Sequence, residues 1–413
     1  MKGDTRQISE DYKDTNGAVK YEDVQVFKGL VGVYVDESLI SYIDGEQGKL
    51  FYRGYAVQEL VKHSTFEEVA YLLIFGELPA ENQLEEFKQL LIKERNIPDN
   101  VLRLLQSFPR NTTRIELLRT AISALSLYDP DDYDYSEEAN IRKGIRIIAK
   151  MPTIIAFAHR IQTNQPLIEP SDTLSHSGNY YYMMTGNMPT ADFIDAFDKV
   201  LICHADHSNN ASTFSCRVTV STLSDLYSGI TSAIGTLRGP LHGGANEAVI
   251  RYLTDEVKKN DNVISWAQKK LANKEKIMGF GHRVYKTWDP RAIIMRQLAK
   301  KFYEAYINGE RLDKITETGH DHKHDDFIFE MTEILTDFMI KEKQIFPNVD
   351  LYSAGLLHSL GIPSALYTPL FAAARSVGWV AHAIEQLRDN KLIRPRLKYV
   401  GNLSKEYIEI IYR

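Results

Sequence analysis

Apolar positions recur at helical spacing through most of the chain. In "VQELVKHSTFEEVAYLLIFGELP", Thr65 precedes the apolar run with Glu68 three residues on, which predicts a capped helix start, and Gly76 and Pro79 supply the stop. "ENQLEEFKQLLIKERN", "TRIELLRTAISALSLY" and "IRKGIRIIAKMPTIIAFAHRIQ" repeat the pattern. One stretch differs. "LVGVYVDESLISYIDGEQGKLFYRGY" alternates apolar and polar residues around an Asp-Gly pair and predicts a small N-terminal β-hairpin. Strands do not alternate with helices, which argues against a doubly wound sheet. Residues 1–20 read as a poorly ordered tail.

"ASTFSCRVTVSTLSDLYSGITSAIGTLRGP" is small on nearly every face. A helix with that surface packs closely, in the core or against a second subunit. The chain turns polar between Tyr303 and Phe338, but no Pro/Gly/Ser linker separates clean domains, and there is no internal repeat.

Composition narrows the function. A chain of 413 residues, 44% hydrophobic and 25% charged, can bury one large core or two domains. The net charge of −6 favours neither nucleic acid nor an anionic membrane, so an anionic ligand would need a local pocket of arginines. Two cysteines, Cys203 and Cys216, without CxxC spacing exclude a disulfide scaffold and fit a reducing compartment. The polar N-terminus lacks a signal peptide's apolar core, and "ALYTPLFAAARSVGWVAHAIE" is broken by Arg375 and Glu385, so neither secretion nor a membrane span is expected. The expected location is the cytoplasm.

Several short stretches carry candidate chemistry. "MGFGHRVYKTWDPR", Met278 to Arg291, has Val284 where a dinucleotide fingerprint needs its third glycine, and a helical segment precedes it instead of a strand. Its glycines would let backbone N–H groups approach a ligand, with Lys276 and Lys286 near for phosphates; alternatively it is a turn before a helix starting at Asp289-Pro290. "HADHSNNAST" sets His204 and His207 at i and i+3, not a zincin spacing, ahead of a dense run of short polar side chains. In "GPLHGGANEAV", His242 lies at a helix start, where the dipole favours a neutral imidazole able to polarise a carbonyl; a capping histidine reads equally well. Asp350 in "IFPNVDLYSAG" is an exposed loop residue by default, and partial burial would make it a better base. Arg375 sits among small apolar residues, matched by a protein carboxylate or waiting for a ligand's. "LIRPRLKYVG" adds Arg394 and Arg396, which otherwise read as an exposed basic tail. "GHDHKHDD", with His320, His322 and His324, reads as a solvated loop before it reads as a metal site.

In order, HxDH…NAST, GPLHGGANE, GFGHRVY…DPR, PNVDxYSAG, the arginine of LFAxxR and IRPR resemble the citrate synthase family, as do "YIDG…YRGY" and "LLIFGELP" near the N-terminus. The resemblance implies an all-α, two-domain homodimer that condenses an acyl-CoA co-substrate with oxaloacetate and then hydrolyses the thioester, with no tightly bound cofactor and no metal. By family pattern the large domain is 1–243 with 362–413 and the small domain 244–361. Asp350 matches the base, His242 the residue on the thioester oxygen, and His282 the residue that polarises the oxaloacetate carbonyl. His207, Arg291 and Arg375 match dicarboxylate ligands, and Arg396 matches one supplied across the dimer. Lys276, Met278, Gly279, Phe280, Gly281 and Lys286 are the implied CoA contacts. Citrate synthase using acetyl-CoA is the leading reading, and 2-methylcitrate synthase using propionyl-CoA the runner-up. The Asn209 position is phenylalanine in many 2-methylcitrate synthases, which weighs against that subtype. The polar segment around His320 is long for the family. A silent protein whose "HDHKH" loop takes up metal, or a dinucleotide-dependent dehydrogenase, are the competing classes.

Overall fold

The computed structural model describes residues 25–257, 262–308, 327–401 and 405–413. The tail read at 1–20 and the His320–His324 loop lie outside the described residues.

The unit Ser38–Ile393 carries the fold. Its helices begin and end on the signals the chain supplies. Thr65 Oγ1 accepts from the Glu68 N–H at 3.3 Å, and Gly76 closes that helix in the left-handed region at φ 98°. Two long helices form the centre, Glu137–Gln162 and Tyr367–Arg388, and both are buried on almost every face. They approach closely at Gly144, where a Cβ would lie 2.4 Å from Val380 Cγ1. Among the described residues no helix is long and apolar enough to cross a membrane.

The small-residue stretch read as one helix is two, Ala211–Ser221 and Leu226–Leu237. The break has a local cause: Leu223 takes φ 63°, and Asp225 caps the second helix by accepting from the Ser228 N–H at 2.9 Å. The close packing expected of these helices is present within the chain, since a Cβ on Gly229 would meet Val220 Cγ1 at 2.7 Å.

The predicted hairpin is part of a three-stranded antiparallel sheet, β1 (Ser41–Asp44), β2 (Lys49–Tyr52) and β3 (Tyr55–Ala56). Four residues, Gly45 to Gly48, join β1 to β2, with Asp44 Oδ1 accepting from the N–H groups of Glu46 and Gln47 at 3.1 and 2.8 Å. The two glycines serve close approach. A Cβ on Gly45 would fall 2.3 Å from the Val284 carbonyl oxygen, and one on Gly48 2.7 Å from that of Trp288. The loop thus lies directly on residues 284–288, where Gly45 O also accepts from the Lys286 N–H at 2.9 Å.

The second unit comprises the described parts of Met1–Glu37 and Arg394–Arg413. Its regular structure is two single 3₁₀ turns, Lys28–Leu30 and Ile410–Tyr412, and it exposes Leu397, Val400, Ile410 and Ile411.

Candidate active site

The turn after the Ala191–His204 helix is held from several sides. Tyr52 O–H, from β2, donates to the Asp206 carbonyl at 2.8 Å. The buried Asp206 carboxylate accepts from Ser41 O–H at 2.5 Å and from the Ser208 N–H at 2.9 Å, and His382 Nε2 stands 3.3 Å from its other oxygen. Gly378 lets the Tyr367–Arg388 helix reach this turn, because a Cβ there would meet Asp206 Oδ1 at 2.4 Å. So fixed, the turn directs His207 inward, its Nε2 3.3 Å from the Tyr285 hydroxyl.

His282 lies edge-on to His207, with ring centroids 5.1 Å apart. The N–H groups of Val284 and Tyr285 donate to His282 Nδ1 at 3.0 and 3.2 Å, so Nδ1 holds a lone pair and the neutral ring carries its proton on Nε2. Burial, with Arg291 nearby, lowers His282 to about 4, and burial, with Arg375 nearby, lowers His242 to about 4. The same causes, burial first, hold His207 well below the ordinary value. All three imidazoles are therefore neutral at pH 7.

Cations line the same space. Pro290 opens the Pro290–Ile307 helix, as the sequence predicts, and the next residue, Arg291, forms a buried ion pair with Asp289. Arg375 is 1% exposed; its Nε donates to the His204 carbonyl at 2.7 Å, and one terminal nitrogen, Nη2, has no hydrogen-bond partner among the described residues. A buried guanidinium left part-satisfied is costly unless an anion completes it.

Asp350 occupies the first turn of the Val349–Ser359 helix instead of an open loop, and is half-buried. Asn348 caps that helix: its Oδ1 accepts from the Asp350 N–H at 3.0 Å. Its own N–H donates to Gly279 O at 2.9 Å and its Nδ2 to Gly281 O at 3.0 Å. With the Phe280–Pro347 bridge, these bonds tie the segment before His282 to the one before Asp350. Burial raises the Asp350 carboxyl to about 7, against the pull of Arg291 and Arg375. The cluster thus joins a carboxyl poised near neutrality, neutral N–H donors and a guanidinium with one unpartnered nitrogen among the described residues. It can hold a dianion and move a proton beside it.

The family profile described as citrate synthase, C-terminal domain, matches residues 29–396. The chain belongs to the citrate synthase family. A citrate synthase from Haloferax volcanii is 41% identical over 388 residues, covering 93% of this chain and 98% of that protein. A citrate/2-methylcitrate synthase from Bacillus subtilis is 41% identical over 374 residues, 90% and 96% of the two chains. A solved citrate synthase from Thermoplasma acidophilum, in ternary complex with carboxymethyl coenzyme A and oxaloacetate, superposes with a TM-score of 0.86 at 35% identity, covering 94% of this chain and 100% of that one.

For this citrate synthase family chain, the fold brings His207, His282, Arg291, Arg375 and Asp350 into one electrostatically connected cluster, with His242 facing it. Arg396 belongs to the other unit, where it is exposed. Of the implied CoA contacts, Lys276 and Lys286 are exposed and Met278 and Phe280 half-buried. Gly279 and Gly281 adopt φ 89° and 78°, which requires glycine. The Gly281 N–H, however, donates to the Phe346 carbonyl at 2.9 Å and so is spent within the protein. Residue reading gave no role to Tyr285 or Trp379, took Asp289 only as a helix start, and Ser212 only as one of a run of short polar side chains. Asp289, an acid just before Pro at a predicted helix start, and Ser212, in the polar run after His207, had a visible signal; Tyr285 and Trp379 act through contacts distant in sequence.

Proposed function

We propose that this chain condenses acetyl-CoA with oxaloacetate and water to give citrate and CoA, with Asp350, His242 and His282 as its catalytic residues. Asp350 removes a proton from the acetyl methyl group while an N–H of His242 supports the charge forming on the thioester oxygen. The enolic carbon then attacks the oxaloacetate ketone. His282 Nε2–H polarises that carbonyl and passes its proton to the new alkoxide. Water then cleaves the thioester and releases the thiol. His207, Arg291 and Arg375 hold the dicarboxylate. The observation that carries the reading is Arg375, a buried cation with a terminal nitrogen unpartnered among the described residues, beside a carboxyl raised to about 7.

The same reading assigns 1–243 with 362–413 to a large domain and 244–361 to a small one that closes over the dicarboxylate and excludes water. Gly243, Gly244 and Gly361, the last at φ 70°, stand at the two crossings. It also places Arg396 in the site of a second copy within a homodimer, which the exposed apolar side chains of the Arg394–Arg413 segment suit. Lys276, Met278, Phe280, the flanking glycines and Lys286 would contact CoA, and no cofactor would stay tightly bound. The buried free thiols of Cys203 and Cys216 fit the cytoplasm.

Thiol release by the purified protein with oxaloacetate, compared for acetyl-CoA and propionyl-CoA, tests this reading. The expected result is a higher kcat/KM for acetyl-CoA. Because a methylene changes such a preference by only about 1–3 kcal/mol, the ratio must be measured. A preference for propionyl-CoA would assign 2-methylcitrate formation, a reading favoured by the similarity to the Bacillus subtilis protein. Release with neither would overturn both.

A further inference from the structure

We propose that Trp379 is a positioning residue for the condensation: its indole N–H, given to Ser212, turns the Ser212 hydroxyl proton toward His242 and keeps the His242 proton on Nδ1. The inference rests on the role of His242 proposed above. Trp379 Nε1 is 3.1 Å from Ser212 Oγ, and both residues are 0% exposed. An indole only donates, so the direction of this bond is fixed and one Ser212 lone pair is engaged. The hydroxyl has a single proton and two polar neighbours besides Trp379, namely Asn210 Oδ1 and His242 Nε2, each 2.8 Å away.

Asn210 Oδ1 is already taken. As the cap of the Ala211–Ser221 helix it accepts the N–H groups of Ser212 and Thr213 at 3.1 and 3.3 Å, so it has two donors besides the Ser212 hydroxyl, whereas His242 Nε2 has none among the described residues. Of its two acceptors at 2.8 Å, we assign the Ser212 proton to His242 Nε2, the one that no other donor serves. A neutral ring accepting at Nε2 carries its own hydrogen on Nδ1, and Nδ1 has no partner among the described residues. That is the atom left to donate to the thioester oxygen. Trp379 and Ser212 are both enclosed, which holds the hydroxyl among these neighbours. Without the indole, Ser212 regains a lone pair and can accept from His242 Nε2–H, which would strip Nδ1 of its hydrogen.

The first test needs no variant. A magic-angle-spinning ¹⁵N spectrum of the histidine-labelled wild-type protein, with His242 assigned through His242→Gln, is expected to show Nδ1 protonated and Nε2 bare at pH 7. The opposite tautomer would overturn the relay. In Trp379→Phe, which keeps an aromatic ring and removes only the N–H, the spectrum is expected to show a mixture of tautomers. Its kcat is expected to fall about three- to tenfold, the worth of one neutral hydrogen bond, with KM for oxaloacetate unchanged. In a Ser212→Ala background the same substitution is expected to change kcat less than about twofold, because neighbours acting through one atom are not additive. An undiminished effect there would show that Trp379 acts by packing and would overturn the proposal. If the wild-type protein releases no thiol, the proposed function fails instead, and the spectrum alone supports or overturns the hydrogen-bond direction.

Discussion

Asp289 grips Arg291 at two points, its carboxylate oxygens accepting from Nε at 3.0 Å and Nη2 at 2.7 Å, with both residues enclosed. The same carboxylate accepts the backbone N–H of Arg291 at 3.0 Å and that of Val349 at 3.3 Å. One acid thus serves the first turns of the Pro290–Ile307 and Val349–Ser359 helices, and each helix carries a proposed site residue, Arg291 or Asp350. Asp289→Ala leaves a guanidinium buried and unpaired, and is expected to cost about 3–5 kcal/mol in urea unfolding. KM for oxaloacetate is expected to rise as well. Wild-type stability in the variant would refute the shared-acid account.

The pH profile follows from which groups titrate. His242 and His282, lowered to about 4, are neutral throughout the working range, whereas Asp350, raised to about 7, must lose its proton to act as a base. The expected kcat/KM therefore falls tenfold per unit as pH drops below about 7, with a single acid limb. A profile flat down to pH 5 would remove Asp350 from the role.

The raised carboxyl also carries a stability cost. Unfolded, Asp350 ionises near its ordinary value of about 4, while the native state resists ionisation until about 7, so stability is lost as pH rises between them. Asp350→Asn is expected to be little changed in stability at pH 4 and more stable than wild type by up to roughly 4 kcal/mol at pH 8. Asp350→Ala is expected to abolish turnover while leaving oxaloacetate binding largely intact, as calorimetric titration would register. Near-normal turnover would sink the proposed base.

Gly45 lies far from His282 in sequence, yet a Cβ there would collide with the Val284 carbonyl oxygen. Both Val284 and Tyr285 donate backbone N–H groups to His282 Nδ1, so pushing this segment away loosens the ring. Gly45→Ala is expected to cost about 1–3 kcal/mol of stability and to lower kcat/KM at least tenfold. A variant with lost stability and full activity would confine the glycine to packing.

Arg396→Ala is expected to raise KM for oxaloacetate about tenfold or more without dissociating the proposed dimer, since a two-point charged hydrogen bond to a carboxylate is lost. Unchanged saturation, with the oligomeric state followed by light scattering, would exclude Arg396 from the site.

What the residues determine by themselves is local. Thr65 with Glu68, Gly76, and Asp289 before Pro290 specify helix ends because caps and stops act within one or two turns, and alternation around Asp44-Gly45 specifies a hairpin by the same short reach. The order of histidines, arginines and Asp350 was also legible, enough for a family resemblance. The third strand and the break at Leu223 escaped notice because two-residue strands and a single left-handed residue leave almost no periodic signal. Only the tertiary structure decided the chemistry of the cluster. It moved Asp350 from a presumed loop into a half-buried helix turn, left one nitrogen of Arg375 unpartnered among the described residues, consumed the Gly281 N–H, and set Trp379 and Ser212 behind His242. Desolvation and hydrogen-bond direction depend on atoms brought together from distant parts of the chain, so they come into existence only when it folds.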